Sequence, residues 1–179
     1  MTSLDSVERD ERVRLFLALR LPGEWLDAIA AWQARVFSGR RVRVVPREHL
    51  HVTLVFLGST PAAELPAIVD RLERAARPVE LRPRGYRETR SAAMLTFDDV
   101  GGHGGAFADA LGRDEPRAWL PHVTVARYRE RPRLQEEFPD TIRTDVLVPS
   151  DAAAYLSRLR PTGAEYEVLA VFALEARLA

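Results

Sequence analysis

A four-residue segment is repeated with one difference in this 179-residue chain, and both copies have the composition of a β-strand. Residues 51–54 (HVTL) are matched 71 positions later by residues 122–125 (HVTV). Side chains alternate between the two faces of a strand, so residues two positions apart point the same way. Each segment is therefore predicted to present one imidazole and one hydroxyl side by side on one face of a sheet.

The repeated residues predict a shared active site. Nine of the residues are threonine, so a given histidine has about one chance in twenty of a threonine two positions later. A single such histidine is usually structural, but two in matching strands favour catalysis. One imidazole can accept a proton while the other donates one, and threonine hydroxyls can bind phosphoryl oxygens. His51 and His122 are predicted to be catalytic, and Thr53 and Thr124 to bind substrate, in phosphoester hydrolysis without a metal.

The rest of the chain alternates strands with fewer helices, which predicts an α+β fold with antiparallel sheets. Residues 1–13 are predicted to be a flexible tail, and 14–179 a single domain with two similar lobes. Residues 101–105 (GGHGG) are expected to form a flexible loop before a short helix, and 129–141 a long exposed loop. The predicted strands are 14–21, 41–45, 50–57, two within 79–99, 119–128, 144–148, 153–159 and 165–174. A helix is expected over 25–36, and a second one is expected to start at Thr60-Pro61, or at Pro66, and to end before Pro78.

The composition excludes several classes of protein. There is no cysteine, so disulfides, thiolate nucleophiles and cysteine-bound zinc are excluded. All 26 basic residues are arginine, which excludes a lysine nucleophile, and they balance 26 acidic residues. The chain has no apolar stretch of signal or membrane-spanning length, so we expect a cytoplasmic protein that does not bind membranes. We also expect a monomer.

Four segments resemble one family. They are RLFLALRLP (14–22), VPREHLHVTLVFLG (45–58), LPHVTVARYR (120–129) and YEVLAVFAL (166–174). They resemble the 2H phosphoesterase superfamily, and within it the RNA 2′,3′-cyclic phosphodiesterases once called 2′-5′ RNA ligases.

The resemblance implies a bilobal fold in which two antiparallel sheets face a central cleft, with helices outside. It implies that His51 is the proton donor and His122 the acceptor, that no cofactor is needed, and that RNA 3′ ends or cyclic nucleotides yield 2′-phosphates. Two alternatives stay open: a phosphodiesterase of a small cyclic or 2′,5′-linked nucleotide, and a non-catalytic module that binds RNA ends.

Three further side chains could contact a nucleotide. Arg127 is a candidate phosphate ligand, but strict alternation turns it away from Thr124, so it requires a bulge or a strand end. Phe56 and Tyr128 could stack a base. Alternation also turns Phe56 away from His51, which favours a place in the core.

The two remaining histidines carry weaker hypotheses. His49 and His51 form a His-x-His pair that could bind a metal, but no carboxylate lies nearby in sequence. His103 lies between glycine pairs, where a flexible linker is favoured over a phosphate-binding loop.

Overall fold

The structure is a computed structural model that describes residues 12–160 and 163–174. The chain runs through β1 (Arg12–Arg20), α1 (Gly23–Val36), β2 (Arg43–Val44), β3 (His51–Pro61), α2 (Leu65–Ala75), β4 (Leu81–Glu88), β5 (Ala92–Asp99), α3 (His103–Ala110), β6 (His122–Arg127), β7 (Asp151–Arg160) and β8 (Gly163–Ala173). This mixture of antiparallel strands and few helices confirms the predicted α+β fold class.

The strands of the described ranges form one curled antiparallel sheet in the order β4-β5-β6-β3-β1-β7-β8, and β2 pairs with β6. The two sheets predicted from the resemblance are its two halves. They meet between β3 and β6, where a single residue pair, Val52 with Val123, is in register. The two motif strands are therefore neighbours at the centre of one continuous sheet.

The main hydrophobic core lies between one face of this sheet and the helices. Trp25, Ile29 and Trp32 of α1 are buried at the spacings expected for an apolar helical face. They belong to the same cluster as Leu17 and Leu19 of β1. The helices thus cover one face and leave the other to form the cleft.

A second, smaller cluster lies on the opposite face of the sheet. It contains Phe16 and Ala18 of β1 with Ala153 and Tyr155 of β7. These residues alternate along β1 with the core leucines, so this small cluster is the floor of the cleft.

Both motif strands contain a β-bulge directly after the motif threonine. Leu54 has no partner in the β1–β3 register, and Val125 has none in the β5–β6 register. Each extra residue leaves two consecutive side chains on the core face, and the following residue returns to the motif face. The third residue after each threonine, Phe56 in β3 and Arg127 in β6, therefore shares a face with the motif.

Four local predictions need correction. The second helix begins at Leu65 and not at Thr60-Pro61, because β3 continues to Pro61. β1 begins at Arg12, two residues earlier than predicted, because Val13 is buried in the core; residues 1–11 of the predicted tail lie outside the described ranges. Residues 144–148 form no strand, only one bridge between Leu147 and Leu81. The predicted exposed loop 129–141 is partly buried, because Phe138 packs in the core.

The glycine-rich segment is also more ordered than predicted. Gly101 and Gly102 have positive φ values of 69° and 73°, which turn the chain into α3 at His103. Gly104 and Gly105 lie inside the first turn of this helix, where their amides donate to the two carboxylate oxygens of Asp99 at 2.9 and 2.8 Å. The capping carboxylate replaces the predicted flexibility.

Candidate active site

The two motif histidines make the same hydrogen bond. Nδ1 of His51 lies 2.7 Å from the carbonyl oxygen of His49, and Nδ1 of His122 lies 2.8 Å from that of Leu120. A carbonyl oxygen only accepts, so each Nδ1 carries the hydrogen. Each Nε2 is then a base when the ring is neutral and a donor when the ring is charged.

The register brings the two motifs together with approximate two-fold symmetry. Val52 pairs with Val123 in antiparallel orientation. The antiparallel register, extended by one residue on each side of this pair, would place His51 opposite Thr124 and Thr53 opposite His122. All four lie on the cleft face because their valine neighbours are buried on the other. The predicted set of two imidazoles and two hydroxyls is therefore assembled at the centre of the sheet.

Arg127 also reaches this face, through the bulge at Val125. It lines a cavity of about 310 Å³ together with His49 and Tyr166. Its charge also acts on His51. β6 therefore contains the bulge that Arg127 requires to share a face with Thr124.

The environment of His51 disfavours its charged form. Burial lowers its pKa from the ordinary 6.5 to about 4. The nearby positive charges of His122, His49 and Arg127 lower the pKa in the same direction, whereas the hydrogen bond to the His49 carbonyl opposes the change. The ring of His51 is therefore neutral at pH 7 in the substrate-free protein.

Aromatic rings surround His51 on the cleft floor. The centroid of its ring lies 4.9 Å from that of Phe16 and 5.7 Å from that of Tyr166. Phe16 stacks in turn on Tyr155 at 4.8 Å with an interplanar angle of 6°. Together with the Nδ1 hydrogen bond, this packing restricts the rotation of the imidazole ring.

The sequence did not predict the role of Trp119, which ties the two motif segments together. Its indole Nε1 donates to the carbonyl oxygen of Thr53 at 3.0 Å. The same ring lies against Gly104 in α3, where an added Cβ would come within 2.2 Å of it. A tryptophan shortly before the second motif was visible in the sequence, but its partner, a backbone carbonyl 66 residues away, was not.

Of the two residues predicted to stack on a base, Phe56 lies in the cleft and Tyr128 is buried. Phe56 is 68% exposed on the cleft side, with its ring centroid 5.9 Å from that of Phe16, so the preference for a core position was wrong. The bulge at Leu54 is the reason. Tyr128 is buried, and its hydroxyl donates to the carbonyl oxygen of Thr89 at 3.1 Å, which is a structural contact.

The other two histidines do not assemble a metal site in the described part of the chain. His49 ends a 3-10 turn rather than lying in a strand, and its ring centroid lies 4.8 Å from that of Tyr166. His103 begins α3 with its ring against Gly101. Within residues 12–160 and 163–174, no group of three or more potential metal-binding side chains occurs. No helix in these ranges is long and apolar enough to cross a membrane.

Comparison with known proteins agrees with this geometry. A family model described as LigT like Phosphoesterase matches residues 19–86, which include the first motif. An RNA 2′,3′-cyclic phosphodiesterase of Thermus thermophilus is 31% identical in an alignment of length 183 that covers 90% of each chain. The chain belongs to the LigT-like phosphoesterase family.

Solved structures of LigT-like phosphoesterases share its fold. The protein TT0787 of Thermus thermophilus has a TM-score of 0.75 at 30% identity, over 92% of this chain and 99% of that one. Escherichia coli LigT complexed with ATP has a TM-score of 0.79 at 25% identity, over 93% and 100%. The family resemblance read from the four sequence segments is thus confirmed.

Proposed function

We propose that this LigT-like phosphoesterase hydrolyses RNA 2′,3′-cyclic phosphate ends to 2′-phosphomonoesters, with two histidines as acid and base and no metal. The observation that carries the proposal is the paired orientation of His51 and His122. Both rings donate through Nδ1 to a backbone carbonyl, so Nε2 is the nitrogen that each ring can use for proton transfer on their shared face. The named activity of the Thermus thermophilus relative supports the substrate class.

The reaction requires a proton to leave water and another to reach the departing ribose oxygen. In the proposed roles, Nε2 of His122 accepts a proton from a water molecule that attacks phosphorus. The bond from phosphorus to the 3′ oxygen breaks, and Nε2–H of charged His51 protonates that oxygen. The assignment of donor and acceptor comes from the family resemblance; the approximate symmetry of the site is compatible with either direction.

Three side chains are proposed to hold the phosphate. The hydroxyls of Thr53 and Thr124 donate to its non-bridging oxygens, and the guanidinium of Arg127 balances the charge that develops there. The bound anion also favours the charged form of His51 and so opposes the lowered pKa of the free protein. Substrate binding would thereby prepare the proton donor.

The remaining features of the proposal are a single bilobal domain, a monomeric enzyme and a cytoplasmic location. RNA 3′ ends or cyclic nucleotides are its substrates. Neither a membrane nor a cofactor takes part in the reaction.

The direct test is product analysis with adenosine 2′,3′-cyclic phosphate in excess EDTA. Chromatography against authentic standards should show mainly the 2′-phosphate, at the rate measured without chelator. Mainly 3′-phosphate would reverse the orientation of the substrate and withdraw the assigned roles. Loss of activity on chelation, restored by one divalent ion, would reject the metal-free mechanism.

The same assay separates the alternatives. A binding module would bind the cyclic nucleotide saturably and release no product. A phosphodiesterase of 2′,5′-linked nucleotides would cleave a 2′,5′-linked dinucleotide faster than the cyclic phosphate.

A further inference from the structure

A second cavity lies on the cleft face, beside the proposed catalytic centre. It has a volume of about 150 Å³ and is lined mainly by Arg14, Phe16, Phe56, Ser157 and Tyr166. We refer to it as the Phe56 groove. Two of its lining rings, Phe16 and Tyr166, contact the ring of His51, so the groove is continuous with the centre.

Phe56 gives the groove an exposed aromatic surface. It is 68% exposed, and among the described residues its ring contacts only that of Phe16. A large apolar side chain that is left this open is suited to stacking on a flat ligand.

Arg14 gives the groove a positive charge. The cleft face of β1 carries three arginines, because alternate residues share a face. Arg12 donates to the Ser59 side chain and carbonyl at 3.1 and 2.7 Å, and Arg20 pairs with Asp151 at 3.4 Å. Arg14 makes no hydrogen bond or ion pair with the described part of the chain, and it is exposed.

The absence of a carboxylate from its described lining distinguishes this groove from the cavity that contains Arg127, with which it shares Tyr166. That cavity contains Arg43 and Arg127 but also Glu165, whereas no acidic residue of the described ranges lines the Phe56 groove. The net formal charge of each lining is +1, and a polyanionic strand that leaves the centre along the groove meets no carboxylate in the lining.

We propose that the Phe56 groove binds the nucleotide on the 5′ side of the cyclic end, with Arg14 on its phosphodiester and Phe56 stacked on its base. Arg14 lies four residues along β1 from Ala18, which pairs with Thr53, a distance of about 13 Å along the strand. The long arginine side chain can cover part of this distance towards the centre. The inference rests on the proposed function and narrows its substrate class to RNA strands rather than mononucleotides.

The test compares kcat/KM for adenosine 2′,3′-cyclic phosphate with that for an adenylyl dinucleotide that ends in the same cyclic phosphate. The wild-type protein should prefer the dinucleotide by about 10-fold or more. Arg14→Ala and Phe56→Ala should each remove most of that preference and leave mononucleotide turnover unchanged. Arg43→Ala, which removes an arginine from the cavity that contains Arg127, is the matched control and should keep the preference.

Modified dinucleotides separate the two contacts. A neutral methylphosphonate linkage should abolish the effect of Arg14→Ala but not that of Phe56→Ala. An abasic nucleotide on the 5′ side should do the reverse.

Several results would overturn the inference. They are equal kcat/KM values for both substrates in the wild-type protein, an equal loss of kcat/KM for both substrates in Phe56→Ala, and a loss of the dinucleotide preference in Arg43→Ala only. If the wild-type protein turns over neither substrate, the proposed function fails instead. Calorimetric binding of the 2′-phosphorylated dinucleotide to the wild-type protein, Arg14→Ala and Phe56→Ala then tests the groove without turnover.

Discussion

At the scale of single residues, His51 and His122 share one hydrogen-bond pattern but differ in their surroundings. Each donates from Nδ1 to the carbonyl two residues earlier. Of these two histidines, only His51 contacts aromatic rings in the described part of the chain, namely those of Phe16, Tyr155 and Tyr166. Two histidines that are equal in sequence therefore have unequal environments in the fold.

Replacement of either histidine should abolish most of the activity. His51→Ala and His122→Ala each remove one proton-transfer step, which contributes on the order of 10²–10⁴-fold. We expect losses of at least that size in kcat/KM, with circular dichroism and thermal unfolding close to wild type. His103→Ala is the matched control and should retain full turnover; wild-type rates in either motif variant would reject the two-histidine mechanism.

The lowered pKa of His51 predicts the pH dependence. NMR titration of the free protein should give a pKa of about 4, and addition of 2′-AMP should raise it, because the phosphate anion stabilises the charged ring. The plot of kcat/KM against pH should be bell-shaped. It falls at low pH when both rings are charged and at high pH when both are neutral. A rate that rises steadily to alkaline pH would indicate a metal-bound hydroxide instead.

At the scale of elements, the bulges at Leu54 and Val125 decide which side chains reach the cleft. In a regular strand, Phe56 and Arg127 would point into the core face. The extra residue in each strand reverses their direction. The same irregularity therefore supplies the cleft with one aromatic ring and one cation.

Arg127 should be required for substrate binding in the reaction. Loss of a charged hydrogen bond to phosphate costs about 1.5–3 kcal/mol, so Arg127→Ala should lower kcat/KM by about 10- to 100-fold. Arg127→Lys should recover part of this loss, since it keeps the charge but not the planar fork. Arg129→Ala, two residues later in an exposed position, should behave as wild type; an unchanged kcat/KM in Arg127→Ala would remove this residue from the site.

Close packing between α3 and Trp119 predicts that a glycine-to-alanine substitution in this helix lowers the stability of the protein. In Gly104→Ala the new Cβ would lie 2.2 Å from the Trp119 ring, which must move from its bond to Thr53. We expect a loss of about 1–3 kcal/mol in the free energy of unfolding, measured with urea, together with reduced turnover.

Gly105→Ala is the control for this experiment. Its added Cβ would meet its nearest neighbour, the Asp99 carboxylate, at 3.4 Å, an ordinary contact distance. Alanine favours a helix over glycine by up to about 1 kcal/mol. Equal stability of the two variants would show that the Trp119 contact is not tight.

At the scale of the whole molecule, one buried carboxylate joins the segment after β6 to the sheet. Glu88, at the end of β4, accepts hydrogen bonds from the Tyr86 hydroxyl, the Arg131 guanidinium and two backbone amides, those of Arg133 and Leu134, at 2.8–3.0 Å. Burial alone would raise the pKa of Glu88. The hydrogen bonds outweigh burial, so the pKa is lowered.

The stability of the protein should therefore depend on the charge of Glu88. Because its pKa is lower in the folded state, its contribution is present above about pH 4.5 and is lost as the pH falls through the folded pKa. Glu88→Gln should lower the unfolding free energy at pH 7 by about 1–3 kcal/mol and reduce its decline in acid. Glu115→Gln, at an exposed position, is the control; identical acid declines in wild type and Glu88→Gln would contradict the assignment.

The sequence by itself determined which side chains form the proposed centre. The His-x-Thr spacing puts an imidazole and a hydroxyl on one face of any regular strand, because strand side chains have a period of two. His51, Thr53, His122 and Thr124 were therefore predictable as a set. The helical apolar spacing likewise determined α1, and the overall alternation of elements determined the α+β class.

Only the tertiary structure decided how that centre is completed. The bulges that turn Phe56 and Arg127 into the cleft arise from pairing with β1 and β5, which no local pattern encodes. The contact of Trp119 with Thr53 joins residues far apart in the chain. The lowered pKa of His51 arises from burial and from charges on other segments. Such features depend on which segments meet in space, and a period read along one strand carries no information about its neighbours.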